Sequence, residues 1–148
     1  MKKIIVTGGN GFIGSNLINF LIRKNYFVVN IDNCKYTKKP FLLKNVSNKK
    51  YRFHPLDINS KKILNLMKKY RPSAIFNLAA ETHVDRSIER PRDFINSNIL
   101  GTFNILEQLR KYNKKSKKKI KLIHISTDEV FGDLEKKNRS NEKRPYRP

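Results

Sequence analysis

Tryptophan is absent from this chain of 148 residues, and cysteine occurs once, at Cys34, so no internal disulfide can form. Sparse sulfur of this kind fits a reducing cytosol. No apolar run approaches the roughly 20 residues that a membrane-spanning helix needs. After Lys2-Lys3 only Ile4-Ile5-Val6 precede Thr7-Gly8-Gly9, too short a stretch for the core of a signal peptide. The expectation is a soluble, cytoplasmic protein. Acid is the other scarcity: 12 Asp+Glu stand against 33 Lys+Arg, a formal net charge of +21. Such a field attracts nucleic acid or an anionic surface at low salt. The cations nevertheless fall where a folded domain meets water, as in the run from Lys114 to Lys119 and the pairs Lys61-Lys62 and Lys68-Lys69. No nucleic-acid-binding motif occurs among them, so nucleic-acid binding is not read as the primary role.

What the chain does contain is an alternation of strand and helix patterns long enough for one core. The run from Lys3 to Thr7 is β-branched and ends in glycines, which predicts a buried strand. Ile13, Leu17, Phe20 and Leu21 share one helical stripe, closed by Arg23-Lys24-Asn25. Phe27 to Ile31 and Tyr51 to His54 read as further strands, and Ser60 as the cap of a helix carrying Ile63, Leu64 and Met67. Ala74 to Ala79 is a fourth strand. Pro91 opens a long helix whose apolar positions include Phe94, Ile95, Ile99, Phe103, Ile105, Leu106 and Leu109, and Ile120 to Ile125 is a last apolar run. Strands separated by helices imply right-handed crossovers, hence an α/β fold with a doubly wound parallel sheet. The expected domain covers residues 1–132, and 133–148 form a charged, polar tail or an unfinished connection.

Two motifs carry chemistry. In Thr7-Gly8-Gly9-Asn10-Gly11-Phe12-Ile13-Gly14 the glycines follow a strand and open a helix, and Asp32 stands 21 residues beyond Gly11 at the end of the second strand. That context is the dinucleotide-binding fingerprint: Gly8 and Gly11 allow a tight turn and close approach to a pyrophosphate, and Gly14 lets helix and strand pack. Asp32 suits both ribose hydroxyls and repels a 2′-phosphate, which favours NAD over NADP; Lys35, three residues on, leaves that preference open. The second motif is Thr127-Asp128-Glu129 after the last apolar run, where an open α/β sheet puts its chemistry. Two carboxyls in different environments can divide the work of a general acid and a general base, although an Asp-Glu step after a strand is by residue type alone most often a solvated turn.

These segments, together with Asp57-Ile58, the run Asn77-Leu78-Ala79-Ala80-Glu81-Thr82-His83-Val84-Asp85-Arg86-Ser87-Ile88 and Asn98-Ile99-Leu100-Gly101-Thr102, resemble the dTDP-glucose 4,6-dehydratases of the extended short-chain dehydrogenase/reductase superfamily. The resemblance runs through Leu134. It implies NAD as cofactor, dTDP-glucose or a close nucleotide sugar as substrate, a place in nucleotide-sugar metabolism, and a homodimer for a complete enzyme. It implies Phe12 and Ile13 at the pyrophosphate, Asp32, Asn33, Cys34 and Lys35 near the adenosine ribose, and Asp57 and Ile58 at the adenine. Leu78, Ala79, Ala80, Glu81 and Thr82 would line the nicotinamide side, Thr82 would also reach the sugar, and Ser97 would touch the cofactor. Thr127 would bind the sugar, Asp128 would act as acid toward its 6-hydroxyl and Glu129 as base at its carbon 5. His83 and His124 are read as ordinary packed or surface histidines, Asp57 and Asn77 could serve loop backbone, and no metal site is proposed.

One feature of the superfamily is missing. Its redox step resembles a Tyr-x-x-x-Lys arrangement, yet Tyr26, Tyr36, Tyr51, Tyr70 and Tyr112 are followed four residues on by Asn30, Pro40, Pro55, Ala74 and Ser116. Three readings therefore stand: a truncated or split dehydratase that needs a complementing C-terminal half, a catalytically silent NAD-binding module, and a basic nucleic-acid-binding protein.

Overall fold

The structure is a computed structural model that describes residues 1–36, 43, 46, 49–133 and 139–148. Five parallel strands form one sheet: β1 (Lys3–Thr7), β2 (Phe27–Asp32), β3 (Tyr51–Pro55), β4 (Ala74–Asn77) and β5 (Lys121–His124), in the order β3-β2-β1-β4-β5. The parallel, doubly wound expectation holds. Ile5 lies opposite Val29 on one side and Ile75 on the other; β1 and β2 are buried on both faces, as continuous β-branched runs require, while in β4 Ile75 and Asn77 are buried and Ala74 and Phe76 half-buried. The chain leaves β1 toward one edge and β4 toward the other, so the C-terminal ends of β1 and β4 flank the switch point where such sheets bind ligands.

Helices cover both faces. Helix α1 (Phe12–Arg23) packs Ile18 and Leu21 on Ile4, Val6 and Val28. On the opposite face α2 (Lys62–Tyr70) and α5 (Thr102–Lys115) enclose Ile5, Val29, Ile31 and Ile75 with Ile63, Met67, Ile105 and Leu109. The N-cap is Lys61 rather than the expected Ser60, which stands one residue earlier and accepts through Oγ from the Lys62 N–H at 3.2 Å.

Three elements differ from the sequence reading. The buried face of α1 is Gly14, Ser15, Ile18 and Leu21; of the expected stripe Leu21 is buried and Leu17 packs on the core, while Ile13 and Phe20 are exposed, because the helix meets the sheet through Gly14 and rotates half of that stripe outward. A short helix, α3 (Val84–Glu89), buries none of its side chains and so carries no apolar signal. The long helix is interrupted: α4 (Pro91–Phe94) leads into a π-helical segment over Ile95–Gly101 before α5 begins. Of the tail, residues 134–138 lie outside the described residues. Residues 139–148 form no helix or strand, and the Arg147 N–H donates to the Val130 carbonyl at 3.0 Å.

Candidate functional site: a cleft at the C-terminal edge of the sheet

The loop between β1 and α1 is shaped by what its glycines exclude. Gly8 adopts φ +66, and a Cβ there would stand 2.7 Å from the Ala79 backbone nitrogen; a Cβ at Gly14 would stand 2.2 Å from the Gly8 carbonyl oxygen. Loop, helix and the end of β4 thus approach at backbone distance. Gly11 at the N-cap has no side chain to accept from the first turn, so the N–H groups of Phe12, Ile13 and Gly14 at the positive end of α1 remain for an anion. The Phe12 and Ile13 side chains point to solvent, and it is their backbone that a pyrophosphate would meet.

Asp32 closes β2 and is fixed at both oxygens. The Asn10 N–H donates to Oδ2 at 3.0 Å and the Cys34 N–H to Oδ1 at 2.8 Å, an Asx turn that holds Cys34 at φ 60. Asn30, buried in β2, donates through Nδ2 to the Asn10 Oδ1 at 2.8 Å and so ties the glycine loop to the strand beside it. At the switch point the Thr7 hydroxyl donates to Asn77 Oδ1 and accepts from the Ala79 N–H, and Asn77 Nδ2 lies 3.1 Å from His124 Nδ1. One polar chain therefore links the ends of β1, β4 and β5. The sequence reading has Asn77 serving loop backbone; its side chain instead bonds those of Thr7 and His124.

The cleft between these elements is lined by Gly8, Gly11, Asp32, Asn33, Asp57, Ile58, Leu78, Ala79, Ala80, Glu81 and Ser97 among the residues expected there, and also by Asn10, Ile31, Tyr36 and Leu56. Phe12, Ile13, Gly14, Cys34, Lys35 and Thr82 are not part of that lining. At Asp57 burial pulls the carboxyl upward, but hydrogen bonds from Asn33 and Asn59 and the charge of Lys35 outweigh it and hold its pKa below the usual carboxylate value. Asn98 grips the Glu81 backbone through two bonds of 2.9 Å, Oδ1 accepting from its N–H and Nδ2 donating to its carbonyl.

Across the cleft runs a clasp that no sequence motif announces. The Lys35 ammonium donates to Asp93 at 2.8 Å and to Glu81 at 3.0 Å, the Tyr36 hydroxyl donates to the other Glu81 oxygen at 2.5 Å, and the Arg86 guanidinium lies 4.9 Å from the Tyr36 ring centre. Asp93 first, then Glu81, raise the Lys35 pKa above its ordinary value, so the ammonium stays charged and committed to these carboxylates. Only the sign pattern of Lys35, Glu81 and Asp93 could have hinted at it.

Thr127, Asp128 and Glu129 lie on the same edge of the sheet beyond β5 but outside the cleft lining. Thr127 Oγ1 accepts from the Glu129 N–H at 3.2 Å and caps a 3-10 turn over Asp128–Phe131. Both acids are exposed, so the contrast of environments that would separate an acid from a base is not built by the described residues. No three His, Cys, Asp or Glu side chains come together among the described residues, and no described helix is long and apolar enough to cross a membrane.

Against known proteins, the chain matches the family described as GDP-mannose 4,6 dehydratase over residues 5–148. It is 42% identical over 156 positions to the dTDP-glucose 4,6-dehydratase of Haemophilus influenzae, which takes in 100% of this chain and 46% of that one. The dTDP-glucose 4,6-dehydratase of Bacillus anthracis, solved in complex with NAD, superposes with a TM-score of 0.83 at 34% identity, covering 100% of this chain and 44% of that one. The UDP-glucose 4-epimerase of Thermus thermophilus, also with NAD, gives a TM-score of 0.83 at 30% identity over 99% of this chain and 44% of its own. The chain spans less than half the length of these relatives.

Proposed function

Since the chain belongs to the GDP-mannose 4,6 dehydratase family, we propose that it is the nucleotide-binding portion of a dTDP-glucose 4,6-dehydratase and that its cleft takes NAD. The observation that carries the reading is the pairing of an uncapped α1 N-terminus, brought to backbone contact by Gly8 and Gly14, with Asp32 fixed at both oxygens on the neighbouring strand. The donor set fits the cofactor: N–H groups of the α1 first turn would face the pyrophosphate, Asp32 would accept from the adenosine ribose, and Asp57 with Ile58 would border the adenine. Leu78, Ala79, Ala80 and Glu81 would form the nicotinamide side, with Ser97 at the cofactor and Thr82 reaching toward the sugar.

Bound NAD would supply the acceptor for the hydride leaving carbon 4 of the sugar and, after water is lost across carbons 5 and 6, the donor that returns it to carbon 6. With a ketone at carbon 4, the proton on carbon 5 becomes acidic; Glu129 removes it, Asp128 protonates the departing 6-hydroxyl, and Thr127 holds the sugar. The product is the 4-keto-6-deoxy sugar nucleotide. The first step also needs a group to take the carbon-4 hydroxyl proton, and none of the five tyrosines with a residue four positions on is followed there by lysine. That favours a second reading for the 148 residues by themselves, a cofactor-binding unit without turnover.

Titration of the chain with NAD and NADP tests the site. Tighter binding of NAD by on the order of tenfold or more is expected, because Asp32 repels a 2′-phosphate and Lys35, the nearby cation, is held by Glu81 and Asp93. Equal affinities would overturn the assignment of Asp32, and no binding of either would overturn the cofactor reading.

A further inference from the structure

At the opposite edge of the sheet, where the strands begin, lies a broad concavity whose walls are basic. Lys2 and Lys3 enter β1 there, Lys68, Lys69 and Arg71 end α2, and the stretch from Arg110 to Lys119 ends α5 and turns toward β5. Twelve Lys and Arg side chains line it and no Asp or Glu does. Arg110 is paired with Glu107, just outside the rim.

Helix ends account for little of this charge. The C-termini of α2 and α5 both open on the concavity, and each carries the equivalent of about half a negative charge, roughly one in all against twelve cations. The remainder is mutual repulsion, held together by a fold whose core lies elsewhere. It is relieved by an extended anion with regularly spaced charges.

We propose that this concavity docks the phosphodiester backbone of duplex nucleic acid, without reading its sequence. The aromatic side chains in the wall are Tyr70 and Tyr112, exposed to 8% and 9%, and Lys69 lies over the Tyr70 ring, so no ring is presented for bases to stack on. A single strand would lose its main source of affinity here, whereas a duplex offers phosphates alone. A membrane surface fits less well, because it favours several apolar side chains beside the cations, and of the large exposed ones only Met1 is in the wall, while Phe12 and Ile13 sit at the other edge of the sheet and Phe103 lies outside the wall.

The test compares two quadruple variants that remove equal charge. One is Lys114→Gln, Lys115→Gln, Lys117→Gln and Lys118→Gln in the concavity; the other is Lys61→Gln, Lys62→Gln, Arg90→Gln and Arg92→Gln, outside it. Both sets are exposed, and matching circular dichroism with the parent shows that each folds. Binding of a fluorescent duplex of about 20 base pairs is followed by anisotropy between 50 and 200 mM salt, conditions over which phosphate contacts are read from the salt slope. The concavity variant is expected to lose tenfold or more in affinity and to flatten the log–log slope by about 2 or more, while the other changes less than threefold. Equal losses would overturn the proposal by spreading the binding over the whole surface. So would tighter binding of a single strand than of the duplex, preference for vesicles containing phosphatidylserine, or displacement of the duplex by excess NAD, which would put the phosphates in the cofactor cleft.

Discussion

Gly14 leaves no room for a methyl group: its Cβ would lie 2.2 Å from one backbone atom of the glycine loop and 2.7 Å from another, and neither belongs to a side chain that could swing aside. Gly14→Ala should therefore cost on the order of 1–3 kcal/mol in urea unfolding and weaken NAD by displacing the loop that would meet its phosphates. An unchanged midpoint would mean that α1 can lift away freely. Asp32 differs, since its carboxylate holds the loop and, on the proposed reading, also meets the ribose. Asp32→Ala removes acceptors from the Asn10 and Cys34 N–H groups, so it should weaken NAD and narrow the preference over NADP, read in the same titration. Its place was legible because a fixed spacing from a glycine turn is a local property of the sequence. The partners that orient it were not, for Asn10, Asn30 and the clasp from Lys35 to Glu81 and Asp93 meet only once β1, β2 and β4 lie side by side.

The strands were read to within a residue or two, because β-branched runs ending in glycine or polar residues need no tertiary knowledge. Leu78 and Ala79 leave the sheet earlier than their composition suggests and become cleft wall, while Leu78 still donates its N–H to the Thr7 carbonyl. Helical faces were harder. Gly14 gives no hydrophobic signal although it is the contact, and the long helix is apolar on two sides, with Ile105 and Leu109 inward and Ile95, Ile99 and Phe103 outward. Replacing Ile105 by Ala should cost about 2–5 kcal/mol, whereas Ile99→Glu with Phe103→Glu should leave the urea midpoint nearly unchanged. The outward stripe also suits a second copy, so the parent chain should self-associate in sedimentation and that double variant should not. A strictly monomeric parent would argue against a docking role. Between β3 and α2, His54 lies 3.0 Å from the Tyr70 hydroxyl, and burial, then Lys69 and Arg52, hold its pKa below 6.5. The unfolded chain then binds the proton more readily, so stability should rise with pH across the window from the depressed folded value to about 6.5, and His54→Gln should flatten that rise.

At the scale of the whole molecule the two edges of one sheet are chemically opposed, with the proposed cofactor cleft where strands end and a cationic hollow where they begin. The acid pair tests how much of a dehydratase the first edge contains. Asp128 and Glu129 are exposed and outside the cleft lining, so in the 148 residues nothing sets them apart as acid and base, and the chain with NAD and dTDP-glucose should form no 4-keto product. Product formation by this chain would overturn that expectation and the role given to the absent tyrosine and lysine. Joined to the C-terminal half of a relative that carries Tyr-x-x-x-Lys, the pair acquires a covering surface and a keto intermediate to work on. There Asp128→Asn and Glu129→Gln should each slow water loss by on the order of 10² or more, while oxidation at carbon 4 survives better because it uses different groups. Solvent isotope exchange at carbon 5 separates the two roles: Glu129→Gln should abolish it, and Asp128→Asn should retain it yet fail to expel the 6-hydroxyl. Dehydration at the parent rate in both variants would make Thr127-Asp128-Glu129 a capped turn and nothing more.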